Sequence, residues 1–138
     1  MDASSPSPEQ LEVAGVLLER AESDLRAAES LANDPAMGDD VIGFHAQQAV
    51  EKSLKVGLVA NGIDFPKTHD LDFLLSLATK SGLEITDELT ATRWLSPWAA
   101  EFRYDNPPTP SLEREDALSA SRTALAWART VLQNTTDS

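Results

Sequence analysis

FHAQQAVEKSLKVGLVANGIDFPKTHDLDFLL, residues 44–75, is the stretch whose reading decides the fold. At 100° per residue, Ala46, Val50, Ser53, Leu54, Gly57 and Leu58 fall on one side of a helix and define a core face. His45, Gln48, Lys52 and Lys55 fall on the opposite side, yet Val41, Val56 and Val59 lie among them. A helix that is apolar nearly all round is covered on two sides. A second copy of the chain is one source of that cover, and the wheel leads us to expect a homodimer. A two-fold interface would bring two copies of the His45/Lys52 stripe close together.

Working outward, Asp39 to Ala60 reads as the whole of this second helix, stopped by Asn61-Gly62. Upstream, Ser7-Pro8-Glu9-Gln10 supplies a cap serine, proline at the first helical position and a glutamine that completes a capping box. Leu11, Ala14, Leu18, Ala21, Leu25, Ala28 and Ala32 then recur at spacings of three and four, and Asn33-Asp34-Pro35 ends the helix. Downstream, Thr68 or Asp70 can cap a short third helix carrying Leu71, Leu74, Leu75 and Ala78, closed by Ser81-Gly82. A fourth helix starts at Thr86 and is expected to run towards Tyr104, with a kink or break near Leu95–Trp98 caused by Pro97. Asp105 to Pro110, DNPPTP, reads as a stiff extended loop. A fifth helix from about Ser111 repeats the seam with Leu118, Ser121, Leu125, Ala128 and Leu132. With no strand alternation and no repeat, the chain is expected to be all-α, one up-and-down bundle of four or five helices over residues 7–134. Residues 1–6 and 135–138 are expected to be disordered tails.

Composition narrows the function. The 138 residues contain no cysteine, which excludes disulfides and thiolate zinc sites. No apolar run reaches membrane-spanning length, and the opening MDASSPSPEQ is unlike a signal peptide, so no membrane association and a cytoplasmic location are expected. A net charge of −12 argues against a general nucleic-acid binder. The charge is uneven, however: residues 41–69 hold Lys52, Lys55 and Lys67 against Glu51 and Asp64, a local balance of +1. This is the segment least hostile to an anion.

Each polar residue also has a plainer reading. A histidine is more often buried and hydrogen-bonded than catalytic. His69 beside Asp70 reads as part of a helix start, where side chains satisfy free amides. Trp94, Trp98 and Trp127 read as core or interface. Glu51 and Lys52, adjacent in sequence, point different ways on a helix and do not pair with each other. There is no glycine-rich phosphate loop, no Gly-x-Ser-x-Gly and no helical two-histidine metal spacing, so neither a cofactor nor a metal site is expected.

His45-Ala46-Gln47-Gln48, Glu51-Lys52, Leu54-Lys55, the Gly62 turn, Phe65-Pro66 and Thr68-His69-Asp70-Leu71 closely resemble the HEPN family of small helical domains. Phe102-Arg103-Tyr104 resembles that family's small-Arg-Tyr-Pro ending of the fourth helix. The likeness spans roughly residues 10–132, residue by residue in the middle and by pattern at the ends. It implies a dimerising HEPN-type bundle, often a partner of a minimal nucleotidyltransferase in toxin–antitoxin pairs. Many relatives are metal-independent ribonucleases, with an arginine and a following histidine on one helix forming a composite site across the dimer. This sequence departs from that pattern, since no histidine follows Arg103. The expectation is therefore a non-catalytic, or at most weakly catalytic, domain that binds a nucleotide or RNA and pairs with a nucleotidyltransferase. Its phosphate contacts would be His45, Gln48, Lys52, Lys55, Arg103 and Tyr104. The alternatives are a ribonuclease using Arg103 with His45, and a non-catalytic dimeric module in which the polar stripe joins subunits.

Overall fold

The computed structural model describes residues 5–99 and 111–137. Arg103, Tyr104 and the Asp105–Pro110 loop lie outside the described residues. The elements are α1 (Pro8–Ala32), α2 (Asp39–Ala60), α3 (Leu71–Lys80), α4 (Asp87–Ala91), a 3-10 helix (Thr92–Trp98) and α5 (Arg114–Thr136), with no strand among the described residues. The chain is all-α. None of these helices is long and apolar enough to cross a membrane.

Local chemistry accounts for the element ends. The Ser7 hydroxyl accepts from the Gln10 amide at 3.1 Å, and the Gln10 side chain accepts from the Ser7 amide at 2.8 Å, so the capping box closes in both directions. α2 and α3 end alike. Gly62 (φ 69°) and Gly82 (φ 90°) take left-handed backbone, and the amides that follow, Ile63 and Leu83, return to Leu58 and Ala78 at 2.9 and 3.0 Å. Asp70, rather than Thr68, caps α3, accepting from the Phe73 amide.

α2 is the central helix. Thirteen of its 22 residues are buried, and its largest interfaces are with α1 and then α5. The six predicted core-facing residues are all buried, and so is Val56. The second apolar side of α2 is therefore covered within the chain, because α1 and α5 flank it from different directions. The two-sided burial needs no second copy to explain it. Ion pairs of Arg122 with Glu29 and of Arg129 with Glu22 show that α1 and α5 run antiparallel. Ser121 bonds the Ala46 carbonyl and Trp127 meets Gly57, so α5 runs parallel to α2, with α3, α4 and the 3-10 helix returning the chain between them.

Three boundaries differ from expectation. α-Helix gives way at Thr92, earlier than the Leu95–Trp98 expected for the break, and a 3-10 helix continues to Trp98, after which Ala99 is extended. Pro97 has no amide hydrogen for the Arg93 carbonyl and its ring crowds that turn, so the segment before it takes the tighter 3-10 winding. α5 begins at Arg114 rather than near Ser111, with Glu113 as its cap residue. It also continues to Thr136, two residues into the expected tail, where the Thr135 and Thr136 hydroxyls bond the Val131 and Gln133 carbonyls.

Candidate functional site

The polar face of α2 is a ladder of side chains held by two carboxylates. The first is Asp24 of α1. Its Oδ1 lies 3.0 Å from His45 Nδ1 and its Oδ2 accepts from Lys52 Nζ at 2.5 Å. His45 and Lys52 are seven residues apart and share one stripe of α2, and α1 crosses that stripe at Asp24. The ion pair with Lys52 keeps Asp24 an acceptor, so the ring proton of His45 sits on Nδ1. Nε2 has no hydrogen-bond partner among the described residues. Phe44 packs edge-on to the ring at 5.3 Å.

The second carboxylate is Glu51, buried in α2 with 3% exposure. Its Oε1 accepts from Gln47 Nε2 at 3.0 Å and lies 2.9 Å from His69 Nδ1, while its Oε2 accepts from Lys55 Nζ at 2.9 Å. Gln48 donates to Gln47 Oε1 at 2.7 Å. Gln47 also donates to the His69 carbonyl at 3.4 Å, tying the loop before α3 to α2. Burial pushes the Glu51 carboxyl up. The hydrogen bonds from Gln47 and Lys55, the charge of Lys55 and the hydrogen bond from His69 outweigh it, and the group ends below its ordinary value of 4.5. The Lys55 ammonium also lies over the Phe65 ring, 5.7 Å from its centre, a cation–π contact.

The structure thus brings four of the predicted contacts, His45, Gln48, Lys52 and Lys55, onto one edge of the bundle. The other two, Arg103 and Tyr104, lie outside the described residues. It also places His69 there, but not in the role expected: Asp70 alone caps α3, and His69 turns back to Glu51. Asp24 is the residue that sequence reasoning passed over. One signal could have found it: Asp24, three residues after Ala21 and four before Ala28, lies on the buried stripe itself, where an acid has to meet a counter-charge on the neighbouring helix. Lys52 ignores its neighbour Glu51, as the helical geometry requires.

Cavities lie elsewhere. One of about 550 Å³ is lined by Thr92, Trp94 and the acids Glu88, Glu113 and Asp116, a lining that repels phosphate. Another, about 830 Å³, opens beside Leu11, Leu83 and Trp127. Neither includes a residue of the ladder. Among the described residues no group of three or more His, Asp or Glu could hold a metal ion.

The described residues form an all-α bundle organised around a central helix with one polar, half-buried edge. The chain is a member of the HEPN family: the HEPN domain model matches residues 14–133. It matches no curated protein and no solved structure significantly.

Proposed function

We propose that this HEPN domain binds a phosphate-bearing ligand, a nucleotide or RNA, along the half-buried polar edge of α2 and works with a nucleotidyltransferase partner in a toxin–antitoxin-like module. The observation that carries the binding half is the gathering of His45, Lys52 and Lys55, with the amide of Gln48, on one face of a chain whose net charge is −12. In an acidic body, phosphate is tolerated only at such a focused site. Arg103 would add a bidentate clamp and Tyr104 a hydrogen bond. The partner half, and the homodimer, rest on the resemblance of residues 44–75 to HEPN domains that pair in this way.

A ribonuclease reading has one observation in its favour: Asp24 holds His45 through Nδ1 and leaves Nε2 without a partner among the described residues, as a general acid or base requires. Its second member would be Arg103. Equilibrium binding of ATP and of a short RNA, measured with His45→Ala, Lys52→Ala and Arg103→Ala, tests the binding reading; unchanged affinity in all three folded variants refutes it. Incubation with RNA in excess chelator separates the two readings, since cleavage lost in both His45→Ala and Arg103→Ala would establish the enzyme.

A further inference from the structure

The two carboxylates of the ladder are not equivalent. Glu51 is enclosed, its side chain 4% exposed, with Oε1 held by Gln47 and His69 and Oε2 by Lys55, donors from α2 and the loop before α3. Asp24 reaches the ladder from another helix, keeps 13% side-chain exposure, and among the described residues accepts from two groups, His45 and Lys52. Those two are more exposed than Lys55, at 28% and 23% against 15%. Two oxygens of one anionic group, bridging an imidazole N–H and an ammonium, is the pattern that two oxygens of a phosphate would make with the same donors.

We infer that Asp24 is a built-in competitor for the anion seat: its carboxylate occupies the place of a phosphate between His45 and Lys52, and a phosphate-bearing ligand binds by displacing it. This rests on the binding reading above and adds to it which end of the ladder takes the phosphate and what sets its affinity. Lys55 and His69 stay committed to Glu51, whose removal from its donors would leave a buried charge unpaired. Asp24 gives up fewer bonds and lies nearer water. Its negative charge lowers anion affinity as long as it remains in place.

The opposite assignment makes Asp24 a positioning residue, needed to hold His45 and Lys52 in place for the ligand. The two assignments predict opposite signs. Asp24→Asn keeps the volume and one acceptor for His45 while removing the charge; Asp24→Glu keeps the charge on a longer stem. The probes are a fluorescent ATP analogue and a fluorescently labelled ten-nucleotide oligodeoxythymidylate, which cannot be cleaved through a 2′-hydroxyl. They separate a free nucleotide from a strand as the source of the phosphate.

For the probe that binds, Asp24→Asn is expected to tighten affinity about tenfold, with Asp24→Glu close to wild type. For the oligonucleotide, the slope of log K against log salt should steepen by about 0.7 as Lys52 becomes a full phosphate partner. Lys52→Ala should abolish the gain. Wild-type binding that is lost in Lys52→Ala but weakened or unchanged in Asp24→Asn overturns the competitor role while leaving the binding reading intact. No binding of either probe by wild type or Asp24→Asn, both folded by circular dichroism, overturns both.

Discussion

Replacing Gly43 by alanine should destabilise this protein, although the same change in an exposed helix interior stabilises by about 1 kcal/mol. Gly43 lies inside α2 and is buried. A methyl group built on it would stand 2.0 Å from Cδ1 of Trp98, 2.5 Å from Cγ and 2.7 Å from Nε1, more than an ångström short of ordinary contact. The obstacle is an indole ring at 2% exposure, stacked edge-on with Trp94 at 5.7 Å, not the free end of a flexible chain. Overpacking of this kind costs about 1–3 kcal/mol, and expelling the ring altogether costs about 3–5 kcal/mol, as in Trp→Ala. After the propensity gain, a net loss of about 2 kcal/mol is expected. Urea unfolding followed by far-ultraviolet circular dichroism measures it, with Trp98→Ala as the second arm of a double-mutant cycle. In the Trp98→Ala background the methyl enters vacated space and should stabilise, giving a coupling of about 3 kcal/mol. A Gly43→Ala protein more stable than wild type, or a cycle with no coupling, would refute the packing argument.

Three further perturbations follow from the same structure. Glu51→Gln leaves Lys55 half-buried without a charged partner and should cost about 3 kcal/mol at pH 7. Because the folded Glu51 carboxyl titrates below its unfolded value, its contribution is full above about 4.5 and disappears as pH falls through the lower folded value, so denaturation midpoints of wild type and Glu51→Gln should converge on acidification. Arg114 donates to the carbonyls of Ala32, Asp34 and Met37 and to the Asp39 carboxylate, clamping the α1–α2 connection to the start of α5. Arg114→Lys cannot span these acceptors and should lose about 2 kcal/mol, with faster amide exchange confined at first to residues 33–39. Ser53 Oγ is buried with no hydrogen-bond partner among the described residues, so Ser53→Ala should raise stability by about 1 kcal/mol; a fall in the urea midpoint would show that the hydroxyl is satisfied after all.

How far the sequence reached can be followed along α2. The core face from Ala46 to Leu58 is a matter of periodicity, a local property that the wheel reads directly. The capping box at Ser7, the stop at Gly62 and the cap at Asp70 are equally local, since each is settled by groups within a few residues of one another. The covering of α2 on its second side was also legible, but its source was not. The wheel cannot distinguish a neighbouring helix of the same chain from a second subunit, because both present the same apolar demand. α1 and α5 meet that demand from sequence distances the wheel does not see.

The candidate site divides along the same line. That His45, Gln48, Lys52 and Lys55 share a face is a consequence of 3.6 residues per turn, and the sequence alone determines it. Which acid holds which base is a tertiary decision. Lys52 reaches Asp24 across 28 positions and His69 reaches Glu51 across 18, because the packing angle of α1 on α2 and the return of the 61–70 loop set those distances. The seats of Trp98 on Gly43 and Trp127 on Gly57 belong to that second category too. A glycine within a helix is locally only a weak position, and it becomes a socket when another element delivers a ring to it. The sequence thus determined the helices, the family and the polar face. The tertiary structure decided the pairings, since ion pairs and sockets depend on contacts between elements far apart in the chain.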